Sequence, residues 1–225
     1  MPPKSNSKAA NAFRRRLAAW YRRSARDLPW RHTRDPYAIL VSEFMLQQTQ
    51  VSRVLAFWPR FLRRYPTIER LARAQPAAVR EAWDGLGYYR RAENLHALAK
   101  VVVRELDGAL PSDPVQLEKL PGVGHYTAGA VACFAYERPA ATVDTNVARV
   151  LSRYFGRRGT RRLIALHREL QPRSGKAAYT LNQAIMELGA LVCTARSPKC
   201  AECPVSGSCR FFRTAAGRRA ATRRV

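Results

Sequence analysis

Apolar residues recur three and four positions apart along almost the whole chain of 225 residues. No stretch sustains the period-two alternation of a half-buried strand. Phe13, Leu17, Trp20 and Tyr21 form one such stripe, and the neighbouring arginines lie largely off it. This spacing puts the apolar side chains on one face of a helix. The sequence therefore predicts an all-α protein.

Capping residues, prolines and glycines mark where individual helices begin and end. One long helix is predicted from near Pro36 through Leu55, because apolar residues keep helical spacing across that stretch. Ser112 and Asp113 come before Pro114, an order that marks a helix start. Further helices are predicted over 67–74, 76–83, 90–106, 145–154 and 177–193.

The charge of the chain indicates what it binds. Its 40 Lys and Arg residues against 16 Asp and Glu give a net charge of +24, which favours a polyanion and excludes a neutral or cationic partner surface. No apolar run approaches the roughly 18 residues of a membrane span. Residues 1–11 lack the apolar centre of a signal peptide. We expect a soluble, cytoplasmic protein with no membrane partner.

Four of the five cysteines cluster near the C-terminus, separated by six, two and five residues. Clustered thiols without a secretory signal are typical metal ligands, here for zinc or a [4Fe–4S] cluster. The neighbouring Lys199 and Arg210 favour a DNA-binding loop over a redox centre. Cys133 is interpreted as a small buried hydrophobic residue. The four predicted ligands are Cys193, Cys200, Cys203 and Cys209.

A glycine-containing turn at 120–129 separates a short helix from a strongly apolar one. Gly122 and Gly124 allow close backbone approach and leave the first N–H groups of the second helix available to a phosphate oxygen. An ordinary turn between two helices is the alternative interpretation. The charge of +24 favours phosphate binding.

Three of the scarce carboxylates, those of Glu43, Asp144 and Glu187, lie among apolar neighbours. Burial raises the pKa of a carboxyl group, as a general acid at neutral pH requires. A helix cap or a buried salt bridge is the alternative for each, and capping in particular for Asp144. Two carboxylates in different environments are the usual means of breaking a glycosidic bond.

The motifs together resemble the helix-hairpin-helix base-excision glycosylases that carry an iron–sulfur cluster, and within them the MutY-type adenine glycosylases. The resemblance runs from about Leu28 to Cys209 and includes the hairpin and the cysteine loop. Because the 6-2-5 spacing resembles the family's cluster loop, it implies one [4Fe–4S] cluster. The other matching segments are 28–31, 35–37, 41–51, 85–89, 143–147 and 182–189.

The resemblance also implies an architecture of two helical subdomains with a DNA-binding groove between them. A six-helix domain with the helix-hairpin-helix is expected over 36–141. A discontinuous cluster domain is expected over 12–35 and 142–212, with disordered basic ends at 1–11 and 213–225. The implied partner is double-stranded DNA containing a mismatch, bound by a monomer that would associate with the nucleoid of a prokaryote.

Site residues follow from the matching motif positions. Glu43 resembles the general acid and Asp144 the carboxylate that stabilises the cationic sugar, with Tyr126 and Asn146 orienting the chemistry. The remaining residues would bind DNA. Arg26, Trp30, Arg31, Leu46 and Glu187 match the pocket for the extruded adenine, Gln48 and Tyr88 match the residues inserted into the base stack, and Gly122, Gly124, His125, Lys199 and Arg210 are predicted to contact the backbone. Core packing is the alternative for the pocket and wedge residues.

The chain departs from the family pattern in two respects. Tyr126 stands where the β-lyase branch has Lys, so the implied enzyme is monofunctional. The chain ends about 16 residues after Cys209, without the second domain by which MutY-type enzymes recognise 8-oxoguanine. Thymine- or uracil-removing mismatch glycosylases acting opposite guanine are therefore an alternative to adenine removal opposite guanine or 8-oxoguanine. Glu187 favours adenine, because its carboxylate can accept a hydrogen bond from the N6 amine.

An inactive structural DNA-binding protein is the alternative from another functional class. It would require Glu43 or Asp144 to be missing, and both are present. The sequence therefore favours an enzyme.

Overall fold

A computed structural model describes residues 8–214, and within them every regular element is helical, which confirms the predicted all-α class. Three single turns of 3-10 helix accompany the α-helices, at Pro29–Arg31, Cys200–Glu202 and Ser206–Ser208. The α-helices are α1 (Lys8–Ser24), α2 (Pro36–Leu46), α3 (Val51–Arg64), α4 (Ile68–Ala72), α5 (Pro76–Ala82), α6 (Arg90–Glu105), α7 (Pro114–Leu117), α8 (His125–Phe134), α9 (Thr145–Phe155), α10 (Thr160–Leu170) and α11 (Gly175–Leu191). No helix of this part of the chain combines the length and the hydropathy needed to cross a membrane.

The chain forms two compact units. Within the described residues, 27–138 make an internal unit, and 8–26 together with 139–214 make a discontinuous one. The sequence assigned 139–141 to the internal unit and 27–35 to the discontinuous one. The structure instead places 139–141 in the discontinuous unit and groups 27–35 with the internal one. Trp30 explains this grouping, because its ring packs edge-on against Trp58 at 6.1 Å. Asp35 also accepts a 3.0 Å hydrogen bond from the Tyr37 amide at the start of α2.

The most thoroughly buried helix of the internal unit is α2. Nine of its eleven residues are buried, and it packs against α3, α6 and α8. Phe44, Phe61 and Trp83 fill the surrounding core. A polar residue at the middle of this helix is therefore held in an apolar environment.

The single long helix predicted from Pro36 through Leu55 is wrong. The structure divides it into α2 and α3, with a turn between Leu46 and Val51. Gln48 in that turn has a φ of 55°, in the left-handed region that a right-handed helix cannot contain. The apolar spacing continues across the break, and for that reason the periodicity did not reveal it.

The discontinuous unit packs α1, α9, α10 and α11 around one apolar cluster. The centroid of the Phe13 ring of α1 lies 4.5 Å from that of Tyr154 and 5.3 Å from that of Phe155, both in α9. The sequence did not predict α10. Gly156 and Gly159, with φ of 66° and 90°, end α9 and precede α10.

The predicted disorder of 1–11 and 213–225 is wrong for residues 8–11 and 213–214. Helix α1 begins at Lys8, and Ala10 is fully buried in the apolar cluster. At the other end, the Arg213 amide donates to the Cys209 carbonyl at 3.3 Å. Residues 1–7 and 215–225 lie outside the described part of the chain.

His167 of α10 is completely buried, and neither ring nitrogen has a hydrogen-bond partner within the described residues. Burial lowers its pKa from 6.5 to about 3. Between these two values the unfolded chain binds a proton that the folded chain does not. Protonation of His167 in the unfolded chain therefore lowers the free energy of unfolding by a growing amount as the pH falls from 6.5 towards 3.

Replacing His167 by Leu is expected to raise the free energy of unfolding by about 1 to 3 kcal/mol at pH 7, because an unpartnered polar group leaves the core. The gain should increase below pH 6.5 by at most about 1.4 kcal/mol per pH unit. Urea unfolding at pH 5 and pH 7.5 measures both effects, with the exposed His32→Leu as the control. An equal gain at the two pH values would contradict the account of His167.

Candidate functional site

Glu43 lies in the middle of α2, with only 6% of its surface exposed. Its neighbours on that helix, from Leu40 to Met45, are all buried. The prediction that this carboxyl group sits in an apolar environment is therefore confirmed by its burial. A buried carboxyl group at this position is a candidate to donate a proton.

Asp144 is the N-cap of α9, which is the capping alternative raised by the sequence. Its Oδ1 accepts from the Val147 amide at 2.6 Å, and its Oδ2 accepts from Asn146 Nδ2 at 3.3 Å. Burial raises the pKa of Asp144, while these hydrogen bonds oppose the rise. Capping uses one oxygen and fixes the direction of the other, so a cap and a role in chemistry are compatible.

Arg149 of α9 holds Asn146 in place and was not predicted. Its Nη2 donates to Asn146 Oδ1 at 2.6 Å and to the Gly189 carbonyl at 2.8 Å. Its Nε donates to the Cys193 carbonyl at 2.8 Å. A continuous set of hydrogen bonds thus runs from the first cysteine, through Arg149 and Asn146, to Asp144.

Helix α11 supports the backbone that leads to Asp144. The buried Asn182 donates to the Ala140 carbonyl at 3.1 Å and accepts from Thr142 at 3.0 Å. Further along α11, a Cβ added at Gly189 would lie 2.7 Å from Asn146 Cβ. The segment carrying Asp144 is therefore held on both sides by one helix, which requires glycine at its closest approach.

Glu187 of α11 forms a buried ion pair with Arg26. Its Oε1 accepts from the Arg26 amide and from Nε, both at 2.8 Å, and its Oε2 accepts from Nη2 at 3.0 Å. Glu187 is fully buried. The hydrogen bond to Glu187 is the main reason that the pKa of Arg26 is raised. This is the buried salt bridge that the sequence left open as the alternative for Glu187.

Three other predicted pocket residues lie in the internal unit. Trp30 is buried within the single turn Pro29–Arg31, and Arg31 is half-buried beside it. Leu46 is the half-buried last residue of α2, three positions after Glu43. Trp30 packs against Trp58 as a core residue does, while Leu46 and Arg31 retain some accessible surface.

Gln48 and Tyr88 are both exposed, and each occupies the left-handed region of backbone conformation. Their φ angles are 55° and 48°. Tyr88 exposes 60% of its surface, which is unusual for so large an aromatic residue. Both line one cavity, which also contacts Gln47, Tyr89, Arg90 and Arg91. The structure therefore brings the two predicted wedge residues together.

The predicted hairpin turn joins α7 and its following turn to α8. Gly122 has a φ of 73°, and a Cβ there would lie 2.6 Å from Asn94 Cβ, so both conformation and space require glycine. Gly124 is the exposed N-cap of α8. His125 is exposed and its Nδ1 lies 2.6 Å from Glu118 Oε1. Tyr126 is half-buried in the first turn of α8, which packs against α2.

The four clustered cysteines line a single cavity, together with Arg153 and the exposed Lys199. Burial is the main cause of the raised pKa values of Cys200, Cys203 and Cys209, and that of Cys203 reaches about 11. Within residues 8–214, no three His, Cys, Asp or Glu side chains are placed to hold a single metal ion. The cysteines nevertheless surround one space and offer it four soft sulfur donors.

Arg153 of α9 organises the loop that carries these cysteines. Its Nη1 donates to the Thr194 carbonyl at 2.7 Å and lies 3.5 Å from Cys193 Sγ, while its Nη2 donates to the Ala195 carbonyl at 2.9 Å. The Arg210 amide donates to the Tyr154 carbonyl at 3.1 Å, which returns the chain to α9. The Arg210 side chain is exposed and lies beside Gly156.

Two segments of the chain match described families. Residues 41–172 match the HhH-GPD superfamily base excision DNA repair protein family. Residues 193–209, which begin and end at the outer cysteines, match the iron–sulfur binding domain of endonuclease III. These matches confirm the resemblance that the motifs predicted.

Individual relatives cover most of the chain. An adenine DNA glycosylase of Mycobacterium tuberculosis is 50% identical over 84% of this chain and 64% of its own length. The chain thus spans less than two thirds of that relative. A thymine-DNA glycosylase of Aeropyrum pernix is 37% identical over 89% of this chain and 94% of its own length.

A solved structure has the same fold. The structure of a thermostable thymine-DNA glycosylase superposes with a TM-score of 0.85 at 34% identity, over 91% of this chain and 97% of that one. The fold is therefore shared over nearly the full length of both chains.

Proposed function

We propose that this chain, which belongs to the HhH-GPD superfamily of base excision DNA repair proteins, removes mismatched adenine from duplex DNA opposite guanine or 8-oxoguanine. The observation that carries this proposal is the buried carboxyl group of Glu43 in the middle of the apolar helix α2. The 50% identity to an adenine DNA glycosylase supports adenine as the base.

Hydrolysis of the glycosidic bond requires a proton for the leaving base and an anion for the sugar. Glu43 donates its proton to the extruded adenine as the bond from C1′ to the base breaks. The Asp144 carboxylate stabilises the positive charge that develops on the sugar. Water then adds to C1′ and gives a proton to the Glu43 carboxylate, which restores the acid and leaves free adenine and an abasic site.

Tyr126 and Asn146 orient this chemistry. Asn146 is bound by Arg149 through its oxygen and donates to Asp144 through its nitrogen, so its amide has a fixed orientation. Tyr126 lies in the first turn of α8, which packs against the helix of Glu43. A tyrosine at this position forms no Schiff base, so the enzyme acts without β-lyase activity.

The base leaves the duplex before it reacts, because its glycosidic bond is inaccessible within the stack. In this proposal Trp30, Arg31 and Leu46 contact the extruded base, and the ion pair of Arg26 and Glu187 offers it polar contacts. Gln48 and Tyr88, both exposed, enter the space that the base leaves. Since Arg26 engages both Glu187 oxygens, we propose that the pair contacts the base as a unit rather than through Glu187 alone.

Sequence-independent affinity comes from phosphate contacts. The chain carries a net charge of +24. We assign phosphate contacts to the N–H groups at Gly122 and Gly124, to His125, and to the exposed Lys199 and Arg210 of the cysteine loop. The protein acts as a monomer on double-stranded DNA in the cytoplasm of a prokaryote.

The four cysteines would hold one [4Fe–4S] cluster. Their spacing and the match of 193–209 support iron and sulfur over zinc. All four cysteines line one cavity, as ligands of a single group must. Such a cluster cross-links the loop and gives it a fixed shape.

Replacing Cys203 by Ser is expected to lower the iron content and the brown absorbance and to destabilise the protein, because one ligand and its share of the binding free energy are lost. Cys133→Ser is the matched control, since Cys133 is buried in α8 and does not line the cavity of the four cysteines. Iron and sulfide analysis of anaerobically purified protein measures the effect. Stoichiometric zinc in the wild type would refute the cluster.

Removal of thymine or uracil opposite guanine is the second candidate. It is favoured by the likeness to thymine-DNA glycosylases, which the chain covers over 94% and 97% of their lengths. Both oxygens of Glu187 also accept hydrogen bonds from Arg26, so this carboxylate is a weaker reason to prefer adenine.

One assay separates these two functions. Duplexes with A:G, A:8-oxoguanine, T:G or U:G are incubated with the protein and resolved on denaturing gels with and without alkali. We expect cleavage at adenine only after alkali, and no covalent product after borohydride. Cleavage of T:G or U:G with intact adenine duplexes would establish the second candidate instead.

A further inference from the structure

The buried guanidinium of Arg91, in the first turn of α6, caps the C-terminal end of α2. Its Nη1 donates to the carbonyl oxygens of Phe44 at 3.0 Å and Met45 at 2.8 Å, and also to that of Gln47. The last carbonyl groups of a helix lack partners within the helix and need other donors. Arg91 supplies those donors at the point where α2 stops.

The same guanidinium binds the segment that presents Tyr88. Its Nη2 donates to the carbonyl oxygens of Leu86 at 3.2 Å and Gly87 at 3.0 Å, and Nε donates to that of Tyr88 at 3.4 Å. Nη2 also reaches Thr49 Oγ1 at 3.0 Å. Its carbon Cζ lies 5.5 Å from the centroid of the Tyr88 ring, within the range of a cation–π interaction.

The charge of Arg91 is compensated by these oxygens rather than by a carboxylate. Within the described residues Arg91 forms no ion pair, and burial lowers its pKa. The guanidinium also contacts the Trp83 ring, whose centroid lies 5.5 Å from Arg91 Cζ. A cation held by six backbone carbonyl oxygens and one hydroxyl oxygen fixes the positions of the chain segments that supply them.

Gln48 and Tyr88 both need such support. Their φ angles of 55° and 48° are costly for residues with side chains, and such conformations persist only where the surroundings impose them. Gln48 is flanked by two acceptors of Arg91, at Gln47 and Thr49. Tyr88 supplies one acceptor itself and follows another at Gly87.

We propose that Arg91 is a positioning residue that holds Gln48 and Tyr88 together in the arrangement that enters the base stack. This inference rests on the proposed function, in which those two residues replace the extruded base. Arg91 itself is 7% exposed and acts through the two segments rather than on the DNA.

The geometry requires arginine rather than any cation. The guanidinium has five N–H donors in a fixed plane and here reaches acceptors in two chain segments. A lysine ammonium has three donors at one point and cannot reach both segments equally. We therefore expect Arg91→Lys to keep the positive charge but not the arrangement of the two segments. Arg91→Met should lose both.

The control is Leu98→Ala. Leu98 is fully buried on the same helix, and its side chain forms no hydrogen bond to either segment. It lowers stability by creating a cavity. Comparing the Arg91 variants with Leu98→Ala, at a temperature well below all melting midpoints, separates positioning from general destabilisation.

Two measurements on the full chain test the proposal. Hydrogen exchange of free protein should accelerate in both segments, 46–50 and 85–89, in the Arg91 variants and in neither segment in Leu98→Ala. With 2-aminopurine next to the target adenine, wild type and Leu98→Ala should give the fluorescence rise of an unstacked base. Arg91→Met should lose most of that rise while its affinity for matched duplex changes by about twofold or less.

Single-turnover adenine excision by Arg91→Met should fall on the order of 10- to 100-fold, with Arg91→Lys between it and the wild type. Unaltered fluorescence in Arg91→Met, or an equal loss in Leu98→Ala, would overturn the positioning role. Absence of any fluorescence rise with the wild type would instead count against the proposed function, so the two failures are distinguishable.

Discussion

Glu43→Gln is expected to slow adenine release by about 10²- to 10⁴-fold under single-turnover conditions, because the amide keeps the shape of the side chain but has no acidic proton. Glu43 is buried at the centre of α2, so a substitution of equal size preserves the packing of that helix. Binding to a mismatched duplex and the melting temperature should therefore stay close to those of the wild type.

The matched control for Glu43→Gln is Glu81→Gln. Glu81 lies on α5 at the protein surface and pairs with Arg64 at 2.9 Å. The same chemical change there should leave excision unaltered. Wild-type turnover by Glu43→Gln would remove this residue from the role of general acid.

Asp144→Asn is expected to slow excision by about 10²- to 10³-fold, because the developing cation loses its anionic partner. The structure makes this variant informative, since asparagine caps a helix about as well as aspartate does. The bond from the Val147 amide can therefore persist. Burial raises the pKa of Asp144, so a neutral amide should not lower stability at pH 7.

Asp144→Ala is the companion variant, because it removes the cap as well as the charge. It should lower the free energy of unfolding by about 1 kcal/mol, whereas Asp144→Asn should not. Parallel measurement of melting and single-turnover excision distinguishes the two roles. Full activity in Asp144→Asn would reduce Asp144 to a structural cap.

Local signals in the sequence were sufficient for most of the helices. Asp113 before Pro114 caps α7, as the order of these residues predicts, and Asp35 before Pro36 caps α2 in the same way. The break between α2 and α3 could not be predicted in this way. The carbonyl groups that a continuing helix would have used there accept hydrogen bonds from Arg91, which is distant in sequence.

The same physical reason explains which site residues the sequence missed. Arg91, Arg149 and Arg153 bind backbone oxygens, but in a chain with 40 basic residues an arginine is first interpreted as a phosphate contact. The carboxylates were easier to find, because acids are scarce and an acid among apolar residues is conspicuous. Glu187 shows the limit of that signal, since its partner Arg26 lies in the segment after α1, far away in sequence.

The most direct test of the account is the chemical identity of what leaves the DNA. An A:8-oxoguanine duplex and a T:G duplex are each incubated with wild-type protein, and the small molecules released are separated by liquid chromatography and identified by mass. We expect free adenine from the first duplex, in a quantity equal to the alkali-labile sites formed, and nothing above background from the second. Release of thymine, or no release of adenine, would contradict the central claim that this chain is an adenine glycosylase.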